Sequence, residues 1–125
     1  MEFSLTNACN LQCIMCNGDL SSAIRSNREH RAPLPVRYTA PFFDELAEFL
    51  PHLSQANFLG GEPFLGKEPL QILRMLADID AGVAVSVTTN GTQWSRRIRD
   101  ICERLPMSFC VSLDGITRET YEAVL

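Results

Sequence analysis

No apolar run in this chain approaches the roughly 18 residues that a membrane-crossing helix needs. No basic stretch followed by an apolar segment opens it, so a secretory leader is not expected and a cytoplasmic protein is. Positive charge is short as well: 11 Lys and Arg stand against 15 Asp and Glu, a net charge of −4. That argues against a general nucleic-acid binder and against a protein held on an anionic membrane surface. Hydrophobic residues make up 46% and charged residues 21%, which excludes a disordered chain. His30 and His52 lack partners at a useful spacing, and no Ser/His/Asp arrangement or phosphate-cradling P-loop is present. A length of 125 residues suggests one domain.

What the chain does have is three cysteines within eight residues, Cys9, Cys13 and Cys16, spaced C-x3-C-x2-C. Thiolates bind soft metals, and three close thiolates can hold three corners of a cubane iron–sulfur cluster. A [4Fe–4S] cluster has four irons, so three protein ligands leave one iron open to a cofactor or substrate. An odd number of thiols in a chain with no secretory leader argues against a disulfide framework. Two other readings stay open. A structural zinc site would want four ligands, usually two C-x2-C pairs. A plant-type ferredoxin would want a longer first gap and a fourth thiolate, from Cys102 or Cys110.

Along the chain, strands and helices alternate. Residues 2–6 read as a strand with Phe3 and Leu5 on one face. Residues 17–39 carry Arg25, Arg28, Arg31 and Arg37, and Pro33 and Pro35 forbid a continuous helix. That segment reads as a solvated, partly disordered loop, with a lid for an acidic substrate as the functional alternative. Helices are expected over 41–50, with a stripe of Phe42, Leu46, Phe49 and Leu50, and over 67–79, ended by Gly82. A third helix, capped by Thr92, should present Trp94, Ile98, Ile101 and Leu105, and Thr117 should cap a fourth. Strands are expected over 56–59, 83–88 and 108–113. The last two alternate apolar with small or polar residues, which suits a barrel-like parallel sheet lined on its inner face by a ligand cavity. Thr88, Asn90, Ser112 and Asp114 share that inner parity at the C-terminal ends of the strands, where parallel α/β folds carry their chemistry. Cys102 and Cys110 read as small packing residues.

After the cysteine motif come Gly60-Gly61-Glu62-Pro63, Thr88-Thr89-Asn90-Gly91 and Val111-Ser112-Leu113-Asp114-Gly115. Motif, order and intervals resemble the radical S-adenosylmethionine (SAM) family over almost the whole chain, in its SPASM-associated branch. Met15 stands where many members carry an aromatic residue. The resemblance implies a partial TIM-type (βα) barrel, with about four of six βα units in this chain and the rest beyond its end. It implies a [4Fe–4S] cluster on Cys9, Cys13 and Cys16, with SAM chelating the fourth iron. Gly60 and Gly61 would let the backbone approach the cofactor, backbone around Gly61 and Glu62 would hold the SAM amino group, Pro63 would fix the turn, and Asn90 and Ser112 would contact the cofactor. The implied reaction is reductive cleavage of SAM to a 5′-deoxyadenosyl radical that abstracts hydrogen from a peptide or small-molecule substrate. A reductant such as flavodoxin or ferredoxin is implied as partner. An iron–sulfur electron carrier and a non-catalytic metal-binding module are the alternatives.

Overall fold

The computed structural model describes residues 1–125. Four parallel strands form one sheet in the order β1 (Glu2–Phe3), β2 (Gln55–Phe58), β3 (Ala84–Thr89) and β4 (Met107–Val111). Sequential parallel neighbours need crossovers, and helices supply them. They are α1 (Ser22–Asn27) and α2 (Ala40–Phe49) before β2, α3 (Lys67–Ile79) before β3 and α4 (Arg96–Cys102) before β4, with α5 (Arg118–Val124) last. The parallel α/β architecture expected from the sequence is therefore present.

The core lies on one face of the sheet. Phe3, Ala56, Phe58, Val85 and Val87 pack there against Phe43, Leu46, Ile72, Leu73, Leu76, Ile98 and Ile101 from α2, α3 and α4. Phe3 stacks on Phe58 with ring centroids 5.0 Å apart. The register pairs Phe3 with Phe58 and Phe58 with Val87, so each core residue meets another across the ladder. On the opposite face Gln55, Ala84, Thr88, Ser108 and Cys110 are exposed and Ser86 is half-buried. The two-faced alternation thus separates a face that packs on helices from one that is small, polar and open.

Several local expectations shift. Strand β1 is only two residues long, and the chain from Ser4 onward leaves the ladder without regular structure. In α2 the buried positions are Phe43, Leu46 and then Leu50, one step round from the expected stripe, and Phe49 is exposed. Asp80, not Gly82, takes the left-handed position directly after α3, with φ 47°. The cap of α4 is Ser95, whose hydroxyl accepts the Ile98 N–H, so Thr92 and Trp94 lie outside that helix. Thr117 does cap α5, by accepting the Thr120 N–H. Yet α5 buries no residue, and Phe109 and Val111 on β4 stay 44% and 50% exposed. Its last turn meets the thiol loop instead, where the Ile14 N–H donates to the Val124 carbonyl at 2.9 Å.

Residues 17–39 are not simply a solvated loop. Ser21 caps α1, Ile24 is buried, and the segment folds back under the thiol loop. Six residues without an apolar stripe give little periodic signal, so this helix is held by caps and tertiary contacts rather than by propensity.

Candidate functional site

The thiol loop sits over the C-terminal ends of the strands, held by short polar links to its neighbours. The Ser22 N–H donates to the Asn7 carbonyl at 2.7 Å, and the Ser21 hydroxyl donates to the Leu11 carbonyl at 2.7 Å. The Ser22 hydroxyl lies 3.1 Å from both the N–H and the carbonyl of Cys9. The Arg28 guanidinium donates to the Gln12 carbonyl at 3.1 Å. Side chains of α1 and of its two flanking caps, Ser21 and Arg28, thus take up backbone groups that an irregular loop would otherwise leave unpaired.

The turn after β2 closes on the same loop. Gly60 and Gly61 have φ of 80° and 53°, a region that L side chains avoid. A Cβ on Gly61 would fall 2.5 Å from the Ala8 carbonyl oxygen, so this backbone-to-backbone approach requires glycine. One residue on, the Glu62 N–H donates to that Ala8 carbonyl at 2.7 Å. No group in the chain donates to the carbonyls of Gly60 or Gly61.

Glu62 is fully buried, and its carboxyl group is the hub of the site. It accepts the Thr89 hydroxyl at 2.9 Å, the Phe64 N–H at 3.1 Å and the Asn90 N–H at 2.8 Å. A buried carboxyl group without such donors would be strongly destabilising, so these bonds determine where the end of β3 lies. Beyond that point the Asn90 amide nitrogen lies 3.1 Å from Asn10 Oδ1 and 3.9 Å from Cys9 Sγ. The Asn10 amide in turn reaches the Thr92 hydroxyl at 3.0 Å. Cysteine loop, Gly-Gly-Glu-Pro turn and Thr-Thr-Asn-Gly turn are therefore one bonded unit.

Cys9, Cys13 and Cys16 are free thiols, each half-buried. Burial pushes the Cys13 thiol up, helped by the nearby Cys16, Asp114 and Cys9 groups. No three His, Cys, Asp or Glu side chains converge on a single ion. Such convergence is what a structural zinc site requires. A cubane differs, because each thiolate takes a separate iron at its own corner. Three free soft donors on one loop, none of them in a disulfide, fit that group.

The other sequence candidates divide. Pro63 is buried in the turn. Ser112 is exposed, with its N–H on the Thr89 carbonyl at 2.9 Å and its hydroxyl unengaged. Asp114 lies close enough to act on Cys13. Cys102 packs against the core on α4, where burial raises its thiol, and Cys110 lies on the open sheet face. His30 and His52 are exposed. Beside Gly60 and Gly61 a cavity of about 340 Å³ opens between β1 and residues 34–38, with Ser4, Thr6, Arg37 and Glu68 on its walls. Sequence reasoning missed Ser21, Ser22, Asn10 and Thr89. The adjacent serines before a short apolar pair were a visible cap signal. Nothing in the sequence marked Thr89 as the partner of Glu62.

The structure thus sets a loop of three free thiols over the carboxyl ends of a parallel α/β sheet, with a cavity beside the turn after β2. The family model described as the radical SAM superfamily matches residues 3–125, and the chain belongs to that superfamily. Its members are enzymes that use a [4Fe–4S] cluster and SAM. A "Probable GTP 3′,8-cyclase" of Methanocella arvoryzae is 31% identical over 97% of this chain and 36% of its own length. A "GTP 3′,8-cyclase" of Limosilactobacillus fermentum is 26% identical over 99% of this chain and 36% of its own. An "AdoMet-dependent heme synthase" of Methanosarcina barkeri is 30% identical over 98% of this chain and 33% of its own. The chain thus spans about a third of the length of these relatives. No helix is long and apolar enough to cross a membrane.

Proposed function

We propose that residues 1–125 are the N-terminal part of the core domain of a radical SAM enzyme, in which Cys9, Cys13 and Cys16 are the iron ligands. Gly60, Gly61, Glu62, Pro63 and Ser112 form the SAM side of the site, and Asn90 stands where that side meets the thiols. When bound, the cluster and SAM supply a 5′-deoxyadenosyl radical able to take a hydrogen atom from a C–H bond of the substrate.

One observation carries this reading: the buried Glu62 carboxyl group ties the turn after β2 to the end of β3, while its own N–H holds the thiol loop. Such cross-bracing presents an open iron and a cofactor to one another in a fixed pose. The unbonded carbonyls of Gly60 and Gly61 are acceptors suited to an ammonium group. The small, polar inner face, with Ser86, Thr88 and Ser108, leaves room for the reacting ligands.

The substrate is an organic molecule with an abstractable hydrogen. The relatives' names, which include GTP and heme chemistry, favour a small molecule; a peptide follows only from the SPASM resemblance. An auxiliary-cluster domain beyond this segment and a flavodoxin or ferredoxin reductant belong to the same reading. The electron-carrier alternative is disfavoured, since its fourth thiolate would have to leave the core on α4 or the open face of β4. The test is anaerobic reconstitution with iron and sulfide, then reduction with dithionite in the presence of SAM. Formation of 5′-deoxyadenosine that Cys13→Ala abolishes is the expected result. A fully loaded cluster that leaves SAM intact would overturn the proposal.

A further inference from the structure

The Asn90 side chain has its orientation fixed from one end. Its Oδ1 accepts the Thr92 N–H at 3.0 Å and lies 2.7 Å from the Thr92 hydroxyl. An amide oxygen pinned by a backbone N–H cannot exchange places with its nitrogen without setting donor against donor. The Nδ2 end therefore faces the thiol loop. Nδ2 lies 3.1 Å from Asn10 Oδ1 and 3.9 Å from Cys9 Sγ, so its two hydrogens have one acceptor each. Both partners of this N–H···S contact are tied to one group. The Asn90 N–H bonds to the Glu62 carboxyl, and the Glu62 N–H bonds to the carbonyl of Ala8, the residue before Cys9.

The contact is also selective. No side chain donates to Cys13 or Cys16, so the three thiols are not equivalent. A hydrogen bond to a thiolate withdraws charge from the sulfur and from the iron it binds. The reduced cluster carries one electron more and gains more from that withdrawal, so hydrogen bonds to the sulfurs raise the potential.

We propose that the Asn90 side chain donates its amide N–H to the Cys9 thiolate and raises the reduction potential of the cluster held there. Asn90 is thus a positioning and tuning residue acting through Cys9. The inference rests on the reading of Cys9 as an iron ligand.

The test is an anaerobic, EPR-monitored redox titration of the reconstituted chain and of its Asn90→Ser variant. Serine keeps an oxygen near the Thr92 N–H but has no N–H that reaches Cys9. At the wild-type midpoint the variant should show about a tenfold lower ratio of reduced to oxidised cluster, a shift of about 59 mV for a one-electron couple. An intact cluster with an unchanged midpoint overturns the proposal. A second measurement needs no substitution. With asparagine labelled by ¹⁵N at the side-chain amide, the reduced wild-type cluster should show a ¹⁵N hyperfine coupling in pulsed EPR. Absence of that coupling also overturns the proposal, whether or not the variant folds. A wild-type chain that assembles no cluster would remove Cys9 as a ligand and this inference with it; a cluster with unaltered potential would remove the inference alone.

Discussion

Removing the Glu62 carboxyl group should loosen the whole site, because donors from separate parts of the chain depend on it. The Thr89 hydroxyl, the Phe64 N–H and the Asn90 N–H all point at Glu62, inside a fully buried pocket. A hydrogen bond to a charged group contributes about 1.5–3 kcal/mol, and a buried donor left without an acceptor costs about 1–3 kcal/mol. The Thr89 hydroxyl can rotate to another partner and Asn90 is only half-buried, so the three do not add in full. For Glu62→Ala we expect a loss of about 4 kcal/mol. Glu62→Gln keeps the shape and one oxygen but turns an NH₂ group against an N–H donor, for a loss of about 2 kcal/mol. With a urea slope of about 2 kcal/mol/M, the midpoints should fall by about 2 M and about 1 M. Urea unfolding followed by circular dichroism measures both. Two variants that unfold within about 0.3 M of the wild type, at unchanged slope, would refute the placement of Glu62 as the hub.

Further outcomes follow from the same geometry. Gly61→Ala should destabilise the chain by at least about 2 kcal/mol and lower iron loading after reconstitution, since its Cβ would meet the Ala8 carbonyl oxygen at 2.5 Å in a left-handed backbone; thermal unfolding and iron analysis check it. Replacing Cys9, Cys13 or Cys16 by Ala should abolish cluster assembly, while Cys102→Ala and Cys110→Ala should leave iron and sulfide content unchanged. The Gly18 N–H, and after it Arg31, holds the Glu29 carboxyl below its usual range. Its contribution is therefore present at neutral pH and is lost as pH falls below 4.5 through the depressed folded value. Glu29→Gln should flatten the acid limb of the stability curve, as measured by unfolding midpoints from pH 7 to about pH 3.

The sequence announced most of the scaffold. α3 runs over Lys67–Ile79 as its apolar period indicated, and the alternation through β3 separated the core face from the open face. These signals are local, since side-chain period and caps are written in consecutive residues. The failures lie where tertiary contacts decide. α1 is too short to show a stripe and is held by its links to the thiol loop. α5 follows a good cap yet leaves β4 bare and touches Ile14, a placement no local pattern encodes. At the site, Gly60, Gly61 and Glu62 were legible as a motif. The partnership of Glu62 with Thr89, 27 residues away, was not, because neighbours in a parallel sheet are distant in sequence.

The most direct test of the central claim is EPR of the anaerobically reconstituted, dithionite-reduced chain, recorded with and without SAM. A [4Fe–4S]⁺ signal whose g-values change on adding SAM would place the cofactor on an open iron, as three cysteine ligands predict. A chain that takes up stoichiometric zinc but no iron, or a cluster signal indifferent to SAM, would contradict the account.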